Sequence, residues 1–336
     1  MAITGSIPLS KVQGCIEATR GTAATATRVL PILSGTLNQH EEDQPIREQR
    51  GSLIGGYYKP VRLKRWIEMD LEFVPTVEDL ILWLQFGLYG NSSVGSNLAA
   101  STVNSTVKRY TYTPSSTRAI NQTLTLEVGD DTQAYIATMC VVDRVELGWS
   151  LGGMLTAKVH LMGAKAVSGS YTGALTPQGT EILNGSVAKA YVDAGGGTMG
   201  NTISALPSDM TFSVDNNISL YWAPNGDIIP TDIYHNAARF AHLESTMRHT
   251  ADTENAAFLA QTQRYVQTTI EGSAIASASP STNKSLKFKW AGYWSEAPFQ
   301  DADGLNAQRM AGDSVYDSSL TYDWSVVIDS DTSSIV

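Results

Sequence analysis

The stretch VRLKRWIEMDLEFV, residues 61–74, alternates between apolar and charged side chains over most of its length. One set of alternate positions is apolar: Leu63, Ile67, Met69, Leu71 and Phe73. The intervening set is charged: Arg62, Lys64, Glu68, Asp70 and Glu72. Because successive side chains of a strand point to opposite faces, the pattern predicts a β-strand with one buried face and one face in water.

The following residues, PTVEDLILWLQFGLYG at 75–90, change to a helical periodicity. Thr76 stands at the start with Asp79 three residues later, which is the spacing of a helix N-cap. The apolar positions that fall on one helical face are Val77, Leu80, Ile81, Leu84 and Leu88. The order therefore predicts a long strand followed directly by an amphipathic helix.

The same order recurs 176 residues later, in ARFAHLESTMRHTADTENAAFL at 238–259. In this register Glu68 meets Glu244 in the strand, and Glu78 meets Glu254 in the helix. A strand and a helix that repeat together at one offset indicate an internal duplication.

The offset also holds outside that region. EATRGTAATATRVLP at 17–31 shares five identities with DAGGGTMGNTISALP at 193–207, and a carboxylate opens each segment. VKRYTYT at 107–113 falls over NKSLKFK at 283–289, and both alternate like strands. The register is lost after about Ala291, where the two copies differ in length.

Composition bounds the fold and the partners. The chain has 336 residues, is 42% hydrophobic and is rich in strand-forming patterns, so we expect a mainly β protein. The repeat predicts a first module at 1–167, a linker at 168–185 and a second module at 186–336. The formal charge of -10 argues against binding nucleic acid through its phosphates, which requires clustered cations.

Cellular location is predicted from what the sequence contains. Cys15 and Cys140 are the two cysteines, and we expect both to be reduced thiols in the core. No apolar run reaches the ~18 residues of a membrane span, and the first fourteen residues have no signal-peptide pattern. We expect a soluble protein that is made in a cytoplasm.

Short stretches of the sequence match motifs for catalysis or metal binding, but the secondary structure predicted around them does not fit those motifs. GGGTMG at 195–200 has the glycines of a phosphate loop, but no amphipathic helix follows it. GWSLG at 148–152 precedes an alternating strand, whereas a nucleophile elbow precedes a helix. His235, His242 and His249 are spaced by seven, which places neighbours on opposite faces of a strand. We predict no catalytic, cofactor or metal site.

Several stretches together resemble the tail tube (major tail) proteins of long-tailed bacteriophages. They are GCIEATRGTAATATRVLPILSG at 14–35, PTVEDLILWLQFGLYG at 75–90, KSLKFKWAGYWSEAP at 284–298 and SSLTYDWSVVID at 318–329. The resemblance implies β-sandwich modules with a flanking helix and subunits that join edge to edge into β-barrel rings. It also implies that the rings stack into a hollow tube through which DNA passes.

The same resemblance implies a place in the virion and a set of partners. The protein would be part of the tail, and its partners would be further copies of itself, the tape measure protein, the tail terminator and the distal tail proteins. DNA would pass through without specific binding.

Ring-to-ring contacts are expected from two long loops, at 38–57 and 215–233. They exceed ordinary hairpin loops in length, and the first carries charges of both signs. The candidate stacking residues are Glu41, Glu42, Asp43, Arg47, Arg50, Asn225 and Asp227.

The wall of the lumen is expected to be electronegative, because like charge lowers the adhesion of DNA. The candidate lumen residues are Glu68, Asp70, Glu72 and Glu244. The alternation fixes that Glu68, Asp70 and Glu72 share a face, and it leaves open whether that face is the lumen or the outside.

A duplicated chain predicts a ring of three copies with true three-fold and approximate six-fold symmetry; a ring of six single elaborate subunits is the alternative. Two other functions stay open at this stage. One is another virion β-protein, such as a decoration, connector or tail-terminator subunit. The other is a carbohydrate-binding β-sandwich with a platform of Trp222, Trp290 and Trp294.

Overall fold

The computed structural model describes residues 10–46, 59–89, 101–102, 106–114, 122–130, 132–177, 181–204, 207–276, 282–302 and 304–332. Within these residues lie twenty strands and two short α-helices, which confirms the prediction of a mainly β protein. The described part of a single chain forms no closed barrel. Its main sheet has open edges instead.

The first half of the chain, which we define as residues 10–177, contains ten strands and the first helix. They are β1 Lys11–Ile16, β2 Arg28–Leu30, β3 Ser34–Ile46, β4 Lys59–Phe73, α1 Val77–Leu84, β5 Ser101–Thr102, β6 Lys108–Tyr112, β7 Leu124–Gly129, β8 Ala134–Ser150, β9 Thr156–Gly163 and β10 Lys165–Gly169. A π-helical turn, Gln85–Tyr89, follows α1 directly.

The second half, residues 181–332, contains the other ten strands and the second helix. They are β11 Lys189–Ala194, β12 Pro207–Asp215, β13 Ile218–Tyr221, β14 Asp232–His235, β15 Phe240–Arg248, α2 Thr253–Leu259, β16 Arg264–Ala274, β17 Asn283–Glu296, β18 Phe299–Ala302, β19 Leu305–Ser314 and β20 Trp324–Ser330. A 3-10 turn, Gly185–Val187, precedes β11.

The two halves have the same order of antiparallel strand pairs. In the first half β1 pairs with β7, β7 with β8, β8 with β9, β9 with β4 and β4 with β3, while β10 lies on the start of β8. In the second half β11 pairs with β16, β16 with β17, β17 with β19, β19 with β15 and β15 with β12, while β20 lies on the start of β17.

Both predicted helices are present where the sequence places them. Thr76 accepts a hydrogen bond from the backbone N–H of Asp79 at 3.2 Å, so it is the N-cap of α1. The apolar side of α1 is buried, and Trp83 packs on Phe73 of the preceding strand with ring centroids 5.6 Å apart. The second helix begins at Thr253, at the offset of 176 from Val77.

The halves are joined along two strand pairs. β12 of the second half lies antiparallel on the end of β8 of the first, and β20 lies on β6. The hairpin of β13 and β14 also packs on the first half, where Ile218 and Ile233 join Met139, Val141 and Ala164 in a small apolar cluster. The halves therefore share one continuous sheet.

The segment predicted as a linker, 168–185, begins within β10, and its residues Tyr171 and Thr172 pack on β1 and β7. Tyr171 donates a hydrogen bond to the backbone oxygen of Lys11 at 2.8 Å. Thr172 donates two hydrogen bonds, from its backbone N–H and its hydroxyl, to the buried carboxylate of Glu127, each at 2.7 Å. The boundaries of the three predicted regions remain a prediction.

Several expectations differ from the structure, and the second predicted loop, 215–233, contains β13 and the start of β14. The first predicted loop is a strand as far as Ile46, because β3 and β4 form a long hairpin; 47–58 lies outside the described residues. The overlay of 107–113 on 283–289 is wrong, since β6 pairs with β5 and β20, whereas β17 occupies the place of β8. The terminal strand begins only at Trp324.

Candidate functional site

One face of the sheet is polar across seven neighbouring strands. Their order is β3, β4, β9, β8, β12, β15 and β19, and the register of each pair fixes which side chains share a face. The carboxylates on this face are Glu42, Glu68, Asp70, Glu72, Glu146, Asp209, Asp215, Glu244 and Asp313. The cations are Lys64, Arg144, Lys158, Arg248 and Arg309. With nine carboxylates against five cations among the described residues, the face is acidic.

All four predicted lumen residues lie on this polar face. Glu68, Asp70 and Glu72 stand on β4, and Glu244 stands on β15, four strands away across the junction of the halves. The opposite side of β4 is buried at Ile67, Met69, Leu71 and Phe73, as the alternation predicts. The structure thus brings together carboxylates that are 176 residues apart in sequence.

Leu63 departs from the predicted buried face of β4. It is 42% exposed. The register of β3 on β4 shifts at this point, so Leu63 has no direct partner and lies in a bulge of the hairpin. The hairpin extends beyond β9 here, because the pairing of β4 with β9 ends at Ile67.

Most cations on the polar face form ion pairs with carboxylates of the same face. Arg144 lies between Glu146 at 3.6 Å and Asp215 at 3.7 Å, which links β8 to β12. Arg309 binds Glu244 through two nitrogens, at 2.5 and 2.8 Å. These hydrogen bonds hold the pKa of the Glu244 carboxyl below its ordinary value, so Glu244 stays ionised.

Two histidines on the same face are paired with aspartates. Nδ1 of His160 lies 2.8 Å from Asp70, and Nδ1 of His242 lies 2.8 Å from Asp313. His235 and His249 lie elsewhere: His235 contacts Arg239, and His249 packs on Phe299. The predicted divergence of the three histidines is confirmed, and the described residues contain no group of side chains suited to a metal ion.

The acidic stacking candidates form ion pairs within their own hairpin. Glu41 lies 2.5 Å from Arg62, and Glu42 lies 3.2 Å from Lys64. Asp43 lies 3.6 Å from Arg62. Arg47 and Arg50, the basic stacking candidates, lie outside the described residues. These exposed pairs are therefore intramolecular contacts between β3 and β4.

The other two stacking candidates lie in an exposed loop that contacts the same hairpin. Asn225 and Asp227 accept hydrogen bonds from backbone N–H groups of their own turn. The loop, 222–231, reaches β4, where the backbone N–H of Arg65 donates to the oxygen of Ile228 at 2.9 Å. Trp222 lies edge-on to Trp66, with ring centroids 6.1 Å apart. Two regions predicted separately are thus in contact.

Two of the strand edges that stay open in the described part of the chain border the polar face. β3 pairs there only with β4, and the segment from Tyr293 to Ala302 pairs only with β19. Phe299 in this second edge is 55% exposed. Open edges carry backbone donors and acceptors that can pair with another chain. The sequence did not predict the second edge, because the repeat loses its register at Ala291.

Other sequence predictions are resolved by burial. Trp290 and Trp294 are buried and stacked on each other at 5.1 Å, so the predicted sugar platform is not formed. Cys15 and Cys140 are both buried and unbonded. Burial raises the pKa of the Cys15 thiol to about 11 and that of Cys140 well above its ordinary value. Residues 195–200 and 151–152 form turns.

One known family matches nearly the whole chain. A profile of the family described as phage tail tube protein matches residues 9–326. The chain belongs to the phage tail tube protein family. A search of curated proteins finds no match.

Membership in the tail tube family identifies a structural protein of the phage tail rather than an enzyme. It also suggests self-association in the tail. Among the described residues, no helix has the length and apolar character to span a membrane. For a tail tube protein, the acidic sheet face and the two open edges are therefore the features that bear on function.

Proposed function

We propose that this chain is the repeating subunit of a phage tail tube, in which copies join into rings and rings stack around a channel for DNA. The observation that carries the proposal is the polar seven-strand face bounded by open edges, in a chain of the tail tube family. A sheet that is wet on one face and open at its edges satisfies its backbone groups when further copies extend it.

The acidic face is assigned to the lumen. Its charge supports this role, because a wall of carboxylates repels the phosphates of passing DNA. At physiological salt the field of a surface charge reaches only about 8 Å, so the repulsion acts near the wall. Glu68, Asp70, Glu72 and Glu244 retain the role predicted for them.

Two tandem modules and a ring of three chains form the second part of the proposal. The two halves have the same order of strand pairs, which supports two tandem modules. A glycine at corresponding positions of β9 and β19 supports them too. Gly163 lies opposite Ile67, and Gly312 lies opposite Leu243. A β-carbon would approach within 2.9 Å of Ile67 at the first position and 2.1 Å of a backbone oxygen at the second. Each chain would then supply two of six similar positions.

Stacking of rings is assigned to the β3–β4 hairpin and to the loop at 222–231. Their mutual contact supports a shared surface, and the exposed Asn225 and Asp227 are available to a neighbouring ring. Alanine at both positions is expected to shorten tubes while rings still form. Tube length in electron micrographs measures the effect. Unchanged tube length would remove this loop from the stacking surface.

Electron microscopy of the purified protein tests the function itself. Hollow filaments are expected on concentration. Isolated closed rings or monomers would instead favour a decoration, connector or tail-terminator protein. The mass of one ring under native conditions distinguishes three from six copies of the 36.2 kDa chain. Six copies would refute the three-chain ring. The tape measure, terminator and distal tail proteins are proposed as partners at the ends of the tube.

A further inference from the structure

The junction inside the chain gives a template for contact between chains. β12 lies antiparallel on the end of β8, with Asp215 opposite Arg144 and Ser213 opposite Glu146. β12 is the last strand in the pair order of the second half, and β8 belongs to the first half. We call this pairing the internal seam. It covers the edge of β8 that β9 leaves open.

Each strand of the internal seam has a counterpart with an open edge. β3 ends the pair order of the first half as β12 ends that of the second. The end of β17, continued by β18, pairs with β19 as β8 pairs with β9. Phe299 stands in the place of Val145, yet Phe299 is 55% exposed and Val145 is 3% exposed. The difference is the strand that covers Val145.

The register of the counterparts follows from the strand pairs. Glu68 and Glu244 match in the repeat, and their partners on the outer strands are Asn38 and Thr211. Two residues further on, His40 therefore corresponds to Ser213. On the other side of the sheet Glu68 faces Met162 and Glu244 faces Ala311. Lys158 lies four residues before Met162 and pairs with Glu146, and Ala307 lies four residues before Ala311 and pairs with Gln300. Glu146 therefore corresponds to Gln300.

We propose that β3 of one copy pairs antiparallel with residues 298–302 of the next copy, with His40 opposite Gln300. This external seam repeats the internal seam and rests on the proposed function, since it joins copies within a ring. Asn38 then lies opposite Ala302, and Glu42 lies opposite Pro298. Pro298 has no backbone N–H to donate, so the pairing ends there.

The external seam differs from the internal seam in the side chains that its outer strand directs towards the core side of the sheet. Met210, Phe212 and Val214 of β12 are buried beneath the sheet. The corresponding residues of β3 are Leu37, Gln39 and Glu41, two of which are polar. Backbone hydrogen bonds therefore contribute a larger share of the external seam. A contact of that kind lets each chain fold separately and join its neighbours afterwards.

Paired cysteines test the register in assembled rings. Opposed residues of antiparallel strands have Cα atoms about 4.5–5.5 Å apart, within the range that a disulfide bridges. His40→Cys with Gln300→Cys is expected to give covalently closed multimers on a non-reducing gel. Cys15 and Cys140 are buried and do not compete. Ser213→Cys with Glu146→Cys is the positive control, because it places the same geometry at the internal seam and gives an intramolecular link.

A variant two residues out of register is the matched negative control. Asn38→Cys with Gln300→Cys separates the thiols beyond easy bridging, so at least tenfold less cross-linking is expected. Efficient linking of this pair in place of His40 and Gln300 would overturn the register. Rings or tubes in which neither pair links would overturn the external seam while the proposed function stands. Absence of any ring from the wild-type protein would instead overturn the proposed function.

Hydrogen exchange of the wild-type chain tests the seam without substitutions, in case a cysteine variant does not assemble. The backbone amides at 38–42 that point away from β4 are expected to exchange at least tenfold more slowly in rings than in monomers. Amides at 209–215 are the internal reference, because they are already paired in the monomer. Equal exchange at 38–42 in both states would refute the external seam.

Discussion

β12 and β3 occupy matching places in the two halves but have opposite surroundings. β12 lies between β15 and β8, and its inward side chains are buried. β3 has one partner in the described chain and is exposed along most of its length. The comparison shows that strands at the same place in the topology can have different roles. The apolar side chains of β12 pack in the core and stabilise the fold. The polar side chains of β3 keep its open edge soluble before another copy pairs with it.

The largest expected effect is at the internal seam. Phe212 is fully buried on β12 and stacks on Phe288 with ring centroids 5.2 Å apart. Phe212→Ala is expected to lower the free energy of unfolding by about 3–5 kcal/mol, because it removes buried surface and leaves a cavity. Denaturant unfolding of the monomer measures the change.

Gln39→Ala is the matched control for Phe212→Ala, since Gln39 stands at the corresponding place on β3. The side chain is exposed, so a change below about 1 kcal/mol is expected. Equal losses in the two variants would show that the two strands do not differ as the comparison requires.

The second effect concerns Glu17 and Asp193, the carboxylates at the start of the repeated stretches 17–31 and 193–207. Glu17 is buried and accepts hydrogen bonds from Met139 N–H at 2.8 Å, from Gly21 N–H at 2.6 Å and from the hydroxyls of Thr123 and Thr125. Glu17→Ala is expected to lower the free energy of unfolding by about 2–4 kcal/mol, because it leaves several buried donors without an acceptor.

Asp193 is the counterpart of Glu17 and sharpens this comparison. It accepts hydrogen bonds from the backbone N–H groups of Gly200, Asn201 and Thr202, at 2.8–3.1 Å, within a single turn. Asp193→Ala is expected to lose about 1–2 kcal/mol, since those donors lie in a turn that water reaches. Chemical denaturation of both variants measures the two losses of unfolding free energy. A larger loss for Asp193→Ala than for Glu17→Ala would contradict the view that Glu17 is the more important acceptor.

A smaller effect is expected from the loop between β19 and β20, which the first half lacks. Asp317 accepts a hydrogen bond from the Tyr265 hydroxyl at 2.6 Å, and the pKa of its carboxyl falls to about 2. A carboxyl with a lowered folded pKa stabilises the protein above the ordinary Asp range, about 4. This contribution disappears as pH falls towards about 2.

Asp317→Asn is expected to be less stable than wild type at neutral pH and to lose less stability between pH 4 and 2. Unfolding curves across that interval measure the difference. Parallel pH profiles of the two proteins would exclude a native-state role for this carboxylate.

The smallest effect concerns the polar face. Asp70→Lys with Glu72→Lys is expected to leave folding nearly unchanged and to make assembled tubes retain short duplex DNA at low salt. The retention should vanish near 1 M salt, where charges are screened within about 3 Å. Co-sedimentation measures it against wild-type tubes. DNA retained equally by wild type would contradict an electronegative lumen.

The local sequence pattern was sufficient to predict those elements that are determined by residues close together in the chain. The alternation at 61–74 predicted the buried face of β4, and Thr76 with Asp79 predicted the start of α1. It was insufficient for β3, where polar residues such as Glu41 and Glu42 suggested a loop. These residues form a strand because β4 supplies cross-strand cations and backbone partners.

The candidate site was predicted in part. Glu68, Asp70 and Glu72 were placed on one face from their spacing, but their union with Glu244 required the contact of β12 with β8. The edge at Phe299 was missed, since the halves diverge in length after Ala291 and no constant offset reaches it.

The sequence by itself determined the repeated strands, the two helices and the alternation that makes one sheet face acidic. Each of these depends on side chains within a few residues of one another, where period and capping are direct consequences of backbone geometry. The tertiary structure alone decided which edges are covered. Edges pair through backbone N–H and C=O groups that nearly every residue carries. Only the folded chain therefore distinguishes β12, which lies on β8, from β3, which pairs only with β4 among the described residues.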